Sequence, residues 1–377
     1  MNASLMPATD TSFSASIVAW QARHGRHAMP WQRNRDPYAI WLSEIMLQQT
    51  QVNAVIPYYL RFLDRFPSLV ALAGSTENEV LTLWSGLGYY SRARNLHRAA
   101  QQVVQDYRAE FPASREAIEM LPGIGRSTAA AISVFAFGAR EAILDGNVKR
   151  VLARHFAVDG YPGDRAVETA LWQLAESLLP AAHIEAYTQG LMDLGAMICT
   201  RSTPDCGRCP VATTCEARAL DRIADLPTAR PRKPVPRRTT IMLVLRDGED
   251  TLLEKRAPTG IWGGLWSFPE VAEMRDIGYL CRARFGCEAL AAVRLPLLRH
   301  GFTHFSLDIE PVVVRVRRSA TFVQQSGSVW LSLDAAKVAA LPVPAKKILA
   351  SIPAEQAALF EELMEHQQSR DRALDLE

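Results

Sequence analysis

The sequence contains no segment that could cross a membrane and no recognisable export signal. None of its apolar runs approaches the roughly 20 residues that a membrane-spanning helix needs, and the longest, residues 129–137, is interrupted by Ser133. The first ten residues show no basic stretch followed by an apolar one, as a signal peptide would. These absences predict a cytoplasmic protein without a membrane partner, in which cysteines stay reduced.

The chain also lacks a strong excess of either charge. Its net charge is only +2, so any binding to nucleic acid would have to come from local basic patches. It shows no internal repeat of the length that builds solenoid folds. With 377 residues, 48% hydrophobic and 22% charged, the sequence predicts a globular protein of two or three domains.

Cysteine is scarce and unevenly placed. Four of the six cysteines follow the apolar run 191–198 with the spacing Cys-x6-Cys-x2-Cys-x5-Cys, from Cys199 to Cys215. One interpretation of these cysteines is a pair of disulfide bonds. Disulfide bonds are more typical of secreted proteins than of a chain without an export signal. Structural zinc sites usually bring closely spaced pairs, and only Cys206 and Cys209 form one here. Four thiolates also bind a [4Fe–4S] cluster, which we favour over zinc; either metal would tie the end of a helix to a loop.

A predicted helix beginning at Pro37 carries the first candidate catalytic residue. Asp36 can cap this helix, and proline at its first position loses no hydrogen bond. Glu44 shares a helix face with Ile40 and Leu47, so a carboxylate lies at the edge of an apolar stripe. A solvated glutamate is the ordinary interpretation of such a residue.

Glycines mark two segments suited to nucleic acid. Residues 86–90, Gly-Leu-Gly-Tyr-Tyr, are followed by arginines at 92, 94 and 98, which favours stacking on bases over simple packing. Residues 121–125, Leu-Pro-Gly-Ile-Gly, join two predicted helices, the second running from about 126 to 137 and closed by Gly138. Backbone N–H groups at the start of that second helix suit a phosphate, although a plain connecting turn is the alternative.

Asp145 is the second candidate acidic residue. It precedes another predicted helix, which has Val148, Val151 and Leu152 on one face. An isolated aspartate in this position is ordinarily a helix cap.

Composition changes after the cysteine-rich segment. Residues 227–240 hold four prolines and five basic residues without an acidic one, which predicts an extended linker able to lie along a phosphate backbone. Strand-like segments at 239–245 and 251–255 flank the turn 247–250, and a helix near 272–285 and strands at 307–316 and 329–331 follow. This pattern predicts a separate α+β domain, with a helical tail from residue 354.

Several of these motifs together resemble one known family. Residues 42–52 (Leu-Ser-Glu-Ile-Met-Leu-Gln-Gln-Thr-Gln-Val), 86–90 and 144–148 (Leu-Asp-Gly-Asn-Val), with the cysteine spacing, closely resemble the MutY-type adenine DNA glycosylases. That family belongs to the helix-hairpin-helix DNA glycosylase superfamily. The likeness covers residues 15–350 and includes both the helical and the α+β parts.

The resemblance implies a multidomain fold. An all-α helix-hairpin-helix core with an iron–sulfur cluster loop would precede a C-terminal α+β Nudix-like domain. The implied domains are residues 1–28 with 137–225 (cluster domain), 29–136 (six-helix domain with the hairpin), 226–240 (linker), 241–365 (Nudix-like, recognising 8-oxoguanine) and 366–377 (tail). The Nudix likeness rests on residues 263–269, Gly-Gly-Leu-Trp-Ser-Phe-Pro. The paired metal-binding glutamates of nucleotide hydrolases are missing after it, so no hydrolase activity is expected.

The family excises adenine mispaired with 8-oxoguanine or guanine in double-stranded DNA and leaves an abasic site. By position, Glu44 would be the general acid that protonates the flipped adenine and then helps to activate water. Asp145 would stabilise the cationic sugar. General chemical principles support these two roles. Desolvation should raise the pKa of Glu44, while the helix N-terminus should keep Asp145 ionised.

The resemblance also implies a cofactor and a cellular setting. Its [4Fe–4S] cluster would be held by Cys199, Cys206, Cys209 and Cys215. The protein would be monomeric, cytoplasmic and associated with a bacterial-type nucleoid.

Residues that contact DNA or the base follow from the same resemblance. Gln49 and Tyr89 match positions that fill or wedge the duplex, and Gln32 and Gln189 match base contacts. The recognition loop within 299–305 usually reads Phe-Ser-His, and Thr303 here adds a methyl group and a stiffer χ1, so discrimination of the lesion is expected to differ somewhat. The implied set is Gln32, Leu47, Gln48, Gln49, Thr50, Tyr89, Gly123, Gly125, Ser127, Asn147, Gln189, Phe302, Thr303 and His304.

One difference from other members of the superfamily concerns whether the enzyme also cleaves the DNA strand. Ser127 stands where lyase members of the superfamily carry a nucleophilic lysine, so we expect base removal without strand cleavage, with weak side chemistry by Lys149 left open. An endonuclease III-type lyase acting on oxidised pyrimidines is the nearest alternative, and Ser127 and residues 240–350 argue against it. A non-catalytic iron–sulfur DNA-binding or redox-sensing protein is the other, in which Glu44→Gln would leave activity intact.

Overall fold

A computed structural model describes residues 11–231, 234–274, 276–302, 304–319 and 327–352. Thr303 and the tail from residue 354 lie outside these residues. The chain separates into two compact units, with boundaries after Ser75, Ala93 and Arg232. Residues 76–93 belong to the second unit, where the Ser85 hydroxyl donates to the Leu341 carbonyl oxygen at 2.8 Å. The finer division of the helical part stays a prediction.

Local signals set the helix boundaries before residue 232. The Asp36 side chain accepts the Tyr38 N–H at 3.0 Å and starts the helix at Pro37, and Gly138 at φ 69° ends the second hairpin helix, both as predicted. The helices are α1 (Thr11–His24), α2 (Pro37–Leu47), α3 (Val52–Arg65), α4 (Leu69–Ala73), α5 (Glu77–Trp84), α6 (Ser91–Asp106), α7 (Arg115–Glu119), α8 (Arg126–Phe137), α9 (Gly146–His155), α10 (Arg165–Ser177), α11 (Ile184–Asp193) and α12 (Glu216–Ala219), with 3₁₀ turns at Pro30–Gln32 and Ala212–Thr214.

The core of the first unit joins α1 to α9, α10 and α11. Phe13 and Ile17, four residues apart on α1, pack with Val148 and Leu152 of α9 and with Leu191 of α11. A π-helical segment, Leu194–Ile198, continues α11 to the first cysteine of the loop. The core therefore places the start of α9 and the start of the cysteine loop side by side.

The hairpin between α7 and α8 contains two glycines with different roles. Gly123 has φ 79°, and a Cβ there would lie 2.7 Å from the Asn95 Cβ, so the fold itself requires glycine. Gly125 caps α8 in an extended conformation, and a Cβ there would meet no atom within 4 Å. The space beside Gly125 is open.

The second unit contains a mixed sheet of eight strands in the order β3-β2-β1-β7-β5, with β4 on β1, β6 on β7 and β8 on β2. β1 and β7 run parallel, and the other pairs are antiparallel. The elements are β1 (Arg237–Asp247), β2 (Asp250–Lys255), β3 (Trp266–Ser267), β4 (Glu270–Val271), α13 (Ile277–Phe285), β5 (Cys287–Arg294), β6 (Leu298–Gly301), β7 (Ser306–Arg318), β8 (Ser328–Ser332), α14 (Leu333–Val338) and α15 (Val343–Ala350).

This sheet confirms the predicted C-terminal α+β domain. Cys281 and Phe285 of α13 pack on Leu243 of β1 and Val314 of β7. β1 begins at Arg237, so residues 237–240 of the predicted linker belong to the sheet. Within the described ranges, no helix is both long and apolar enough to span a bilayer.

Candidate active site and cysteine loop

Glu44 lies on α2 and faces a pocket of about 500 Å³ in the first unit. The pocket is within the usual size range of small-molecule sites. Its lining combines aromatic, apolar and carboxamide groups with charged residues at 33, 35 and 185. Trp31, Gln32, Ile40 and Gln189 are among these residues.

The surroundings of Glu44 keep its carboxyl group protonated. Burial, followed by the negative charge of Asp145, raises the pKa of Glu44 from its ordinary 4.5 to about 8. Part of the side chain still reaches the pocket, although surrounding protein atoms exclude most water. At neutral pH, Glu44 is therefore an acid with a proton to give, as predicted.

Asp145 has a different environment because it caps α9. Its Oδ1 accepts the N–H groups of Asn147 at 3.0 Å and Val148 at 2.8 Å, and the Asn147 amide donates to Oδ2 at 3.2 Å. Burial raises the pKa of Asp145, while these hydrogen bonds and the charge of Arg150 act in the opposite direction. The helix N-terminus was expected to keep Asp145 ionised, but burial outweighs the hydrogen bonds and the net pKa of Asp145 is raised.

A chain of hydrogen bonds runs from Asp145 to the cysteine loop. Arg150 donates to the Asn147 side-chain oxygen at 2.8 Å and to the carbonyl oxygens of Gly195 at 2.7 Å and Cys199 at 2.7 Å. A Cβ on Gly195 would lie 2.5 Å from the Asn147 Cβ, so this close approach requires glycine. The loop and the aspartate are thus parts of one packed arrangement.

The two residues relevant to lyase chemistry are both engaged in structural contacts. The Ser127 hydroxyl oxygen accepts the Leu144 N–H at 2.9 Å and holds the segment that leads to Asp145. The Lys149 ammonium group pairs with Glu168 at 2.6 Å.

Two candidate wedge residues have left-handed backbone conformations. Gln49 has φ 57° in an exposed turn after α2, and Tyr89 has φ 48° with 48% of its surface exposed. Such conformations are uncommon outside glycine and direct a side chain away from the regular path of the chain. Arg92 lies over the Tyr89 ring at 5.5 Å.

The other candidate DNA-contacting residues around the end of α2 are less exposed. Leu47 and Thr50 are half-buried, and the Gln48 amide reaches the Thr128 hydroxyl at 3.5 Å. The Thr50 hydroxyl donates to the Gln48 carbonyl oxygen at 3.3 Å.

Aromatic side chains surround the candidate recognition loop of the second unit. Phe302 stacks on Phe305 at 4.4 Å, with His300 edge-on at 4.7 Å and Trp262 at 5.4 Å. His304 is exposed. Trp262 and its φ of 55° were not anticipated, because a single tryptophan near glycines carries no local signal for such a role.

The four clustered cysteines are free thiols lining one small pocket. Burial and the charges of the other three raise the pKa of Cys209 to about 11. Mutually repelling thiolates are the donor set that a metal–sulfur group stabilises. In the part of the chain that is described, no three His, Cys, Asp or Glu side chains are arranged to hold a single metal ion.

Comparisons with known proteins match both parts of the chain to known domains. Residues 42–177 match the model of the HhH-GPD superfamily of base excision DNA repair proteins, and residues 240–351 match the NUDIX domain. The helical hairpin, the acidic pair and these matches define the class: a helix-hairpin-helix DNA repair protein with an appended Nudix-like domain.

Individual relatives narrow the class. The chain is 36% identical to the adenine DNA glycosylase of Buchnera aphidicola subsp. Baizongia pistaciae over 91% of this chain and 97% of that protein. It is 32% identical to the human adenine DNA glycosylase over 90% of this chain and 73% of that protein. A solved thermostable thymine-DNA glycosylase is 32% identical, covers 55% of this chain and 96% of its own, and has a TM-score of 0.51. The chain belongs to the adenine DNA glycosylase family and is an enzyme of base excision repair.

Proposed function

We propose that this enzyme removes adenine mispaired with 8-oxoguanine or guanine from double-stranded DNA and leaves the strand uncut. The observation that supports this proposal is a protonated Glu44 that lines a base-sized pocket and has its pKa raised further by the charge of Asp145. An extruded adenine would take the Glu44 proton on a ring nitrogen, which makes the base a better leaving group. The bond to the sugar then breaks with its electron pair going to the base.

Asp145 is suited to the charge that this step creates. Its carboxylate would lie beside the cationic sugar, stabilised by the α9 N-terminus and by Asn147. Glu44, now ionised, would accept a proton from the water that attacks the sugar. One proton is thus given and one recovered, so the enzyme returns to its starting state.

The absence of strand cleavage is supported by two contacts. Forming a Schiff base needs an unprotonated amine at the sugar. Ser127 provides a hydroxyl group that is already bound to Leu144, and the Lys149 amine is paired with Glu168.

Recognition of 8-oxoguanine is assigned to the Nudix-like unit. The aromatic cluster formed by Trp262, His300, Phe302 and Phe305 supports the exposed His304 next to Thr303. Contact with the duplex is assigned to Gln49, Tyr89, Gln48, Thr50 and Leu47, and to the open backbone beside Gly125. A phosphate could approach the α8 N-terminus there without meeting a side chain.

Cys199, Cys206, Cys209 and Cys215 would hold a [4Fe–4S] cluster. Bound there, the cluster would offset part of the charge of four thiolates and cross-link a loop that has little core of its own. Arg154 supports this assignment because its guanidinium group donates to the Cys199 sulfur at 3.4 Å.

The direct test uses duplexes carrying adenine opposite 8-oxoguanine, adenine opposite guanine, or an oxidised pyrimidine. We expect strand breaks from both adenine duplexes only after hot alkali, which cleaves abasic sites. Breaks without alkali would indicate a lyase, and breaks confined to the oxidised pyrimidine would support the endonuclease III alternative. Lack of any product with purified, folded protein would contradict the proposal.

A further inference from the structure

Gln189 in the pocket is held by a buried carboxylate that the proposed mechanism does not use. Gln189 and Asp193 are four residues apart on α11 and therefore share a helix face. The Gln189 Nε2 donates to the Asp193 Oδ1 at 2.8 Å, and Asp193 is fully buried. A buried aspartate in this place needs compensation for its charge.

Arg26 provides that compensation. Its backbone N–H donates to the Asp193 Oδ2 at 2.7 Å, its Nε to Oδ1 at 2.7 Å, and its Nη2 lies 2.7 Å from Oδ1. An aspartate paired in this way is a carboxylate, which accepts hydrogen bonds and donates none. The end of the Gln189 carboxamide that faces Asp193 must therefore be its NH₂ group, because only that end can donate a hydrogen bond to a carboxylate.

Gln32, another carboxamide that lines the pocket, makes different hydrogen bonds. The Gln32 Oε1 accepts the Met29 N–H at 3.1 Å, and its Nε2 donates to the Arg26 carbonyl oxygen at 2.9 Å. Both ends of Gln32 are therefore engaged by backbone. With the amide of Gln189 turned towards Asp193, its Oε1 is the end of this side chain that can accept a hydrogen bond from a bound base.

We propose that Asp193 is a positioning residue that sets the selectivity for adenine. By fixing the Gln189 amide, it presents Oε1 to the exocyclic amino group of the base. Hypoxanthine carries a carbonyl oxygen at this place, which would face Oε1 with no proton between them, and unsubstituted purine has neither group. This inference rests on the proposed function, because it concerns the base that the pocket receives.

The test compares single-turnover rates on adenine, hypoxanthine and unsubstituted purine, each opposite 8-oxoguanine. Asp193→Asn introduces a carboxamide that both donates and accepts, so Gln189 can turn over. We expect the ratio of the adenine rate to the hypoxanthine rate to fall about tenfold, the size of one mispaired buried hydrogen bond. The ratio of the hypoxanthine rate to the purine rate should rise.

Two further variants separate positioning from folding. Asp159→Asn makes the same chemical change in the exposed ion pair with Arg222, and all three rates should stay unchanged. Arg26→Lys keeps a charge beside Asp193 but loses the forked contact, and it should shift the ratios in the same direction by a smaller factor. If Asp193→Asn does not fold, Arg26→Lys carries the test.

The outcomes are distinguishable. Equal slowing on all three bases would show that Asp193 acts only on stability, and the inference would be overturned. Unchanged ratios in a folded Arg26→Lys or Asp193→Asn variant would overturn it as well. Failure of the unaltered enzyme to release adenine would instead overturn the proposed function.

Discussion

The negative charge of Asp145 raises the pKa of Glu44, although the two carboxyl groups belong to different helices. Glu44 comes from the apolar face of α2, whereas Asp145 caps α9, and the fold of the first unit brings them within electrostatic reach. The capping hydrogen bonds stabilise the charge on Asp145, and that charge helps keep the proton on Glu44. The protonated state of Glu44 therefore depends in part on the charged state of Asp145.

Glu44→Gln should abolish excision while leaving DNA binding intact. A carboxamide cannot deliver a proton, and losing general acid catalysis costs on the order of 10²–10⁴ in rate. Single-turnover release of adenine and a gel-shift titration would measure the two properties. Glu110→Gln, the same change at an exposed position, is the control and should retain full activity. Full activity in Glu44→Gln would leave the non-catalytic alternative standing.

Activity should fall as the pH rises through about 8. Glu44 must be protonated to act, and its pKa is raised to about 8 by burial and by Asp145. In Asp145→Asn the second cause is removed, so the alkaline limb of the residual activity should move to lower pH. A pH series of single-turnover rates measures both. A limb that stays in place would mean that the charge of Asp145 does not act on Glu44.

Glu44→Gln should also stabilise the protein at pH 8 but not at pH 4. An unfolded chain ionises Glu44 near its ordinary 4.5, whereas the folded protein retains the proton up to about 8. The folded state binds more protons in this window, so the contribution of Glu44 to stability is lost as the pH rises from 4.5 to 8. Glutamine does not titrate. Melting temperatures of both proteins across this range would reveal the effect, and parallel curves would refute it.

The two hairpin glycines should respond differently to alanine. Gly123→Ala places a Cβ at φ 79° and 2.7 Å from Asn95, and should cost about 1–2 kcal/mol or more in unfolding free energy. Gly125→Ala meets no atom within 4 Å, so stability should change little. Its added methyl group lies where we place a phosphate, and DNA affinity should weaken. Denaturant unfolding and DNA titration of both variants provide the comparison.

Cys209→Ser should reduce the iron content, whereas Cys281→Ser should not. Cys209 lines the pocket shared by the four clustered thiols. Cys281 is also a buried free cysteine, but it lies in the core of the second unit. Iron and sulfide analysis with visible absorption would distinguish them. Equal iron in both variants would argue against the assigned ligands.

The features that were predicted correctly from the sequence depend on residues close together in the chain. Asp36-Pro37 marked the start of α2, Gly138 marked the end of α8, and Asp145 was recognisable as a cap because each signal acts within one helical turn. The position of Glu44 on an apolar stripe correctly indicated a raised pKa.

The features that could not be predicted from the sequence depend on contacts between segments far apart in the chain. The parallel pairing of β1 with β7 joins segments separated by a helix and several strands, and it draws Arg237 into the sheet. The burial of Asp145 and the ion pair between Arg26 and Asp193 arise only when segments far apart in the chain meet. Neither leaves a pattern within a short window of sequence.

The buried Arg154 connects the two ends of the cysteine loop. Besides the Cys199 sulfur, its guanidinium group reaches the carbonyl oxygens of Thr200 at 2.7 Å and Arg201 at 3.1 Å near one end, and of Leu226 at 2.7 Å beyond the other. A single side chain therefore joins both ends of the loop, and the loop should resist proteases until Arg154 is replaced.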